Sequence, residues 1–215
     1  MKTLLLTTAF AVAATGAFAG TINLDFETGF AQDLHLGTGP VDLGQGVMAT
    51  SSENMQLVKT GRPRDAFVPD DMPEDTSFGD YFLTGDFQGN TDLKLSFGTD
   101  VRGLSFDIAD IDGGGQYNTE MFDFIAFLDG EEVAKIEFNS GDNDTGDAVI
   151  TEVVFGDDVR LDALHITGVT KGGTRNIGWG LDNLHATAVP LPAAGWLLIG
   201  AFGGLAAMKR RRKTV

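Results

Sequence analysis

The chain has 215 residues, with 31 aspartates and glutamates against 15 lysines and arginines, three histidines and no cysteine. Without cysteine there are no disulfide staples, no thiol catalysis and no cysteine-ligated zinc. The net charge of −16 argues against nucleic acid and other anionic polymers as partners, because like charge opposes their approach.

Residues 1–19 are laid out as a secretory signal peptide. Lys2 supplies the positive end, Leu4 to Ala14 the apolar stretch, and Ala17-Phe18-Ala19 a small-x-small cleavage site before Gly20. Export follows as an expectation. Residues 20–188 have the length of one domain. They contain all 31 acidic residues and nine of the basic ones, a net charge of −22, for which divalent cations are the natural counter-ions.

Within that span apolar residues recur at period two, and no helix with start and stop signals appears. Ile22, Leu24 and Phe26 line one side of a first strand. Leu93, Leu95 and Phe97 line another, and Leu104, Phe106 and Ile108 a third. Phe122 to Leu128 is apolar on both sides apart from Asp123, and Asp129-Gly130 predicts a tight hairpin into Val133 to Phe138. Ala148 to Phe155, Leu161 to Val169 and Ile177 to Ala186 complete the strong strands, with fainter ones at Val47, Gln56 to Lys59 and Tyr81 to Leu83. Short strands parted by Gly, Asp and Asn turns predict an all-β antiparallel sandwich, jelly-roll-like. Residues 60–80 are rich in proline and charge, a functional or disordered loop. Residues 110–119 hold three consecutive glycines and predict a flexible turn.

Catalytic signatures are sparse. His35, His165 and His185 are the available bases, and no G-x-S-x-G, H-E-x-x-H or P-loop motif accompanies them. They are expected to be structural or surface residues. A glycosidase needs two carboxylates at a set separation; Asp107, Asp110 and Glu120 beside the glycine turn are where such a pair would lie, although a solvated loop is the simpler expectation. Asp142, Asp144 and Asp147 in the run GDNDTGD offer oxygens to Ca²⁺. The glycine position and Val153 where an EF-hand loop ends in Glu favour a polar hairpin loop there.

The ends of this domain carry two short phrases, Asn23-Leu24-Asp25-Phe26-Glu27-Thr28-Gly29 and Gly180-Leu181-Asp182-Asn183-Leu184. Together they resemble the first and last strands of carbohydrate-binding-module jelly rolls. The resemblance implies that the two strands lie side by side and that a structural Ca²⁺ is held by Glu27 and Asp182, with Asp25 a further candidate ligand. Such modules stack sugars on exposed aromatics, for which Trp179, Tyr81 and Tyr117 are the candidates, Trp179 being placed more naturally in the core.

The chain closes on Val189-Pro190-Leu191-Pro192-Ala193, an uncharged apolar run over 193–208, and the cluster Lys209, Arg210, Arg211, Arg212, Lys213. The prolines hold an extended segment. A helix over the apolar run reaches roughly 24 Å, short of a hydrocarbon core of about 30 Å, so it would span with local thinning or snorkelling of its basic end. The cations mark a cytoplasmic end. These three parts in this order resemble the VPLPA variant of PEP-CTERM sorting signals on exported proteins of Gram-negative bacteria. That resemblance implies recognition by an exosortase-type membrane transpeptidase, cleavage near Pro192, and delivery through a transient membrane anchor to the cell surface or its polysaccharide matrix.

The function expected from the whole is a surface-sorted, non-enzymatic β-sandwich of the envelope or extracellular matrix, with polysaccharide as its ligand. Two alternatives stand beside it: a secreted glycan-active hydrolase, and a structural matrix protein that gathers Ca²⁺.

Overall fold

The structure, a computed structural model, describes residues 20–28, 34–60, 78–86, 89–113, 119–171 and 177–190. The signal peptide, Tyr117, residues 61–77 of the long loop, and Leu191 to Val215 with the expected membrane helix lie outside the described residues. Twelve strands follow in chain order: β1 Thr21–Leu24, β2 Leu34–Gly37, β3 Val41–Gly44, β4 Val47–Ser51, β5 Met55–Lys59 and β6 Tyr81–Thr84. Then come β7 Thr91–Ala109, β8 Glu120–Leu128, β9 Glu131–Asn139, β10 Ile150–Val154, β11 Arg160–Thr170 and β12 Gly180–Ala188. Among the described residues every strand pair is antiparallel. No helix among them is long and apolar enough to cross a membrane.

β7 is the spine. The alternation at Leu93–Phe97 and at Leu104–Ile108 predicts two strands, but the structure runs one strand of 19 residues through both. The Gly98-Thr99-Asp100 segment between them resembles a turn in sequence. It stays extended because its neighbours carry the ladder across it. The Gly98 amide donates to the Gly46 carbonyl at 2.8 Å, and Val101 and Arg102 pair with both β11 and β12.

The two ends of β7 serve different halves of the fold. Its first part lies between β4 and β11, which continues the order to β8 and β9. Its last part lies between β10 and β12. β12 in turn pairs with β6 at Leu181 and with β1 from Leu184 to Thr187, and β5 and β2 follow beyond β6. Leu93, Leu95, Phe122, Phe124 and Ile166 from one half and Leu104, Phe106, Leu181 and Leu184 from the other belong to one buried core. The twelve strands thus form one hydrogen-bonded antiparallel sheet that β7 runs through, its two halves sharing a core, an all-β fold.

Local chemistry matches most of the strand boundaries. Asp129 (φ 52°) and Gly130 (φ 83°) join β8 to β9, the paired positive φ that a two-residue hairpin of the I′ type requires. β8 lies between two strands, as its apolar faces predict. Two expectations need correction. β1 ends at Leu24, because Phe26 adopts φ 53° and leaves the strand while its ring stays buried. The last strand begins at Gly180, and Ile177 to Trp179 reach the core as non-strand backbone. β2 (Leu34, Leu36) and β3 (Val41, Leu43) alternate over only four residues each, too short a run to stand out in the sequence, and pairing with β5 and β4 extends them into the sheet.

Candidate functional site: a carboxylate cluster beside a polar groove

The first and last strands do lie side by side, with Thr21 opposite Thr187 and Leu24 opposite Leu184. This pairing brings the two terminal phrases together. Past Leu24 the chain turns through the left-handed conformation at Phe26, a costly place for a bulky aromatic. Asp25 Oδ1 accepts the Glu27 amide at 3.2 Å across that turn. Glu27 is thereby delivered to the start of β6, where its Oε1 accepts the amides of Asp80 (2.6 Å) and Tyr81 (3.0 Å). Gly79 makes room for it. At φ 69°, a Cβ there would stand 2.1 Å from Glu27 Oε1 and 3.6 Å from Asp182 Oδ2. The two carboxylates therefore border one small space.

Asp182 is 1 % exposed. Its register partner is Asp107, which sits between the inward-facing Phe106 and Ile108 and so points to the outer face of the sheet. Burial pushes the Asp182 carboxyl up to about 9. The Asn183 amide, donating to Oδ1 at 2.7 Å, opposes the shift, and the Glu27, Asp25 and Asp107 carboxylates add to it. Asn183 itself has φ 51° and marks a bulge in the β12–β7 ladder, the kind of irregularity that re-aims side chains at sites. Its amide Nδ2 donates to Asp107 Oδ2 at 2.8 Å. Glu27 and Asp182 thus present carboxylate oxygens to a space that a side chain at residue 79 would fill, with Glu27 Oε1 and Asp182 Oδ1 already accepting backbone amides.

Beside this cluster, the outer face of β1, β12, β7 and β10 forms a groove of about 570 Å³. Its polar lining includes Asn23 and Asp25 on and after β1, Asn183 and His185 on β12, Asp107 on β7 and Glu152 on β10. Inward residues Leu24, Phe106 and Leu184 alternate with them, so the same period-two pattern builds the core beneath and the groove above.

A second acidic group sits just past the C-terminal end of β7, three residues beyond Asp107. Asp110, Asp112 and Asp147 offer carboxylate oxygens within 4.8 Å of one another. Asp110 is buried at φ 73° and its Oδ1 accepts the Ala148 amide at 3.4 Å. Burial and then Asp112 push its carboxyl up to about 8, with Ala148 opposing and Glu120 and Asp147 adding. Buried Glu120 accepts the Asp112 amide at 3.2 Å. Of the GDNDTGD run, Asp147 joins this group while Asp142 closes its own loop by accepting the Asn139 amide at 2.8 Å. Asp142 and Asp144 are exposed on a polar connection between β9 and β10.

The remaining candidates scatter. His35 is exposed on β2, His165 on β11 pairs with Asp92 at 2.9 Å, and His185 lines the groove. Trp179 is fully buried and its indole donates to Glu53 Oε1 at 3.2 Å, so it offers no face to a sugar. Tyr81 is partly buried with Lys59 5.9 Å over its ring. Of the sorting motif, Val189 is held by its amide donating to the Asp100 carbonyl at 2.7 Å, and Pro190 is exposed. Sequence alone pointed to neither Glu152 nor Asn183, nor to Asp112. Their outward positions on strands were readable, but the register that collects them was not.

No protein-family model matches the chain, and no curated protein matches it. Solved structures of similar fold include the family 32 carbohydrate-binding module of C. perfringens NanJ in complex with galactose. It is 14 % identical with a TM-score of 0.37, over 66 % of this chain and 93 % of that one. TmCBM61 in complex with β-1,4-galactotriose is 14 % identical with a TM-score of 0.36, over 67 % and 90 %. The K1 cleaved adhesin domain of Lys-gingipain from Porphyromonas gingivalis W83 is 10 % identical with a TM-score of 0.43, over 79 % and 99 %. These likenesses are distant, and the chemistry of the site rests on its own geometry.

Proposed function

We propose that this protein is an exported, surface-sorted, non-enzymatic β-sandwich, jelly-roll-like, that binds glycan in the envelope or extracellular polysaccharide matrix. The observation that carries the glycan reading is the groove on the outer face of β1, β12, β7 and β10. Carboxylates and amides from four elements converge there, and a ring of hydroxyls needs such planar acceptors and donors on a rigid support. Ca²⁺ beside it, held by Glu27 and Asp182 with Asp25 nearby, would fix the turn after β1 against the start of β6. The ion would supply positive charge to buried oxygens, and the chain's own residues orient the groove. Sorting through an exosortase-type transpeptidase rests on the resemblance of residues 189–215 alone.

The test is a screen of the full chain, in detergent, against a panel of extracellular polysaccharides with and without Ca²⁺. Retention on at least one polysaccharide without release of reducing sugar is the expected result. Release of reducing sugar would replace the binding reading with a glycan-active hydrolase. Ca²⁺-dependent self-association with no retention would replace it with a structural matrix protein.

A further inference from the structure

Resting on the glycan-binding reading, we propose that the groove selects a glycan bearing free primary amines, of the glucosamine-polymer type, over neutral and acidic ones. The argument starts from register. Asp107 on β7 and Glu152 on β10 lie directly opposite one another in the groove lining, two carboxylates on neighbouring strands. Like charges directly opposite destabilise a sheet. Elsewhere this chain answers such a juxtaposition with a lysine. Asp123 stands opposite Glu137 on β8 and β9, and Lys135 reaches both, at 3.0 Å and 2.5 Å. In the groove, among the described residues, no lysine or arginine is part of the lining. His185 is the one basic side chain of that lining, and a permanent cation to match the carboxylate pair is left for the ligand to bring.

An ammonium on a sugar ring is a compact charge with three donors, suited to Asp107, Glu152 and Asp25, while the Asn23 and Asn183 side chains face its hydroxyls. A bare metal ion would use only a small part of a groove of about 570 Å³, which has room for a few sugar units. Acidic glycans meet the same carboxylates and the −16 charge of the chain as repulsion.

Calorimetric titration of the full chain in detergent tests this, with a glucosamine hexamer and its fully N-acetylated counterpart, at a pH where the amines are protonated. The glucosamine hexamer is expected to bind about tenfold tighter or more, with the advantage shrinking between about 50 and about 300 mM salt. Glu152→Gln, at an exposed position outside the Ca²⁺ cradle, should reduce that preference about two- to fivefold with no change in melting temperature. Equal or tighter binding of the N-acetylated hexamer would overturn the amine preference and leave glycan binding standing. Binding of neither hexamer, with no polysaccharide retained in the panel, would overturn both.

Discussion

The two acidic groups make an instructive pair, because each holds a buried aspartate among other carboxylates and each resolves the crowding differently. At the junction of β1 and β12, the carboxylates are engaged with backbone. Glu27 satisfies two amides at the start of β6, Asp25 satisfies Glu27, and Asp182 satisfies Asn183. At the end of β7, Asp110 meets one amide at 3.4 Å while Asp112 and Asp147 crowd its oxygens. The first group ties three separated parts of the chain together. The second gathers the end of one strand and the loop before β10. Carboxylate density alone therefore does not identify a site, and the backbone each group organises is the better guide.

Truncating one member of each group gives the largest expected contrast. Glu27→Ala removes two hydrogen bonds to the Asp80 and Tyr81 amides at an exposed position, where water can replace part of each, so a loss of about 1–3 kcal/mol is expected. Asp147→Ala removes an exposed charge that bears on Asp110, and stability should change by less than about 1 kcal/mol in either direction. Urea denaturation of both variants checks this. Equal losses would erase the distinction between the groups.

Calcium sharpens the same comparison. A ligand at a hundredfold excess over Kd stabilises the folded state by about 2.7 kcal/mol, several degrees for a domain of this size. Glu27→Gln and Asp182→Asn should each abolish most of that shift in melting temperature. The Asp142→Asn/Asp144→Asn double variant should keep it, since those residues serve their own loop. An unchanged melting temperature between EDTA and millimolar Ca²⁺ would remove the ion from the account. Loss of the shift only in Asp110→Asn would move the ion to the end of β7.

How much of this was legible in the sequence depended on distance along the chain. Period two gave most of the strands, because alternation is a local property of a half-buried strand. It broke at Gly98 to Asp100, where ladder partners on β11 and β12 override a turn-like segment. Glu27 and Asp182 could be paired only through a resemblance between end phrases, and the groove could not be found at all. Asp107, Glu152 and Asn183 are ordinary polar residues on three strands until register aligns them. The buried role of Trp179 was readable from its apolar context, whereas its partner Glu53, 126 positions away, was not.

The pH dependence of the metal-free protein distinguishes burial from crowding. Asp182 has a folded pKa of about 9, above the ordinary 3.8, so the folded state binds the extra proton between those values. In EDTA its contribution is full below pH 4 and is lost progressively as pH rises toward 9, at up to about 1.4 kcal/mol per pH unit. Asp182→Asn should flatten that part of the slope, as should Ca²⁺, which favours the ionised form. Urea midpoints measured across the window in EDTA check it. A wild-type slope matched by Asp182→Asn would show that Asp182 is solvated.

The smallest expected effect belongs to Asp147→Asn, and its dependence on pH is what makes it informative. Asp147 is the exposed member of the second group and acts on Asp110 only when Asp110 is ionised. Asp110 has a folded pKa of about 8, raised first by burial, so at pH 5 it carries its proton and has little charge for Asp147 to repel. The substitution should therefore leave stability nearly unchanged at pH 5. As pH rises through about 8, removing the neighbouring charge should stabilise the metal-free protein by a few tenths of a kcal/mol to about 1 kcal/mol, less in high salt. Paired melts of wild type and variant at the two pH values, in EDTA, read this out. A stabilisation of the same size at both would place the repulsion with Asp112 instead of Asp110. A loss of stability at pH 8 that appears only when Ca²⁺ is added would make Asp147 a ligand, and the group at the end of β7 would then be the ion site that the junction of β1 and β12 is here proposed to be.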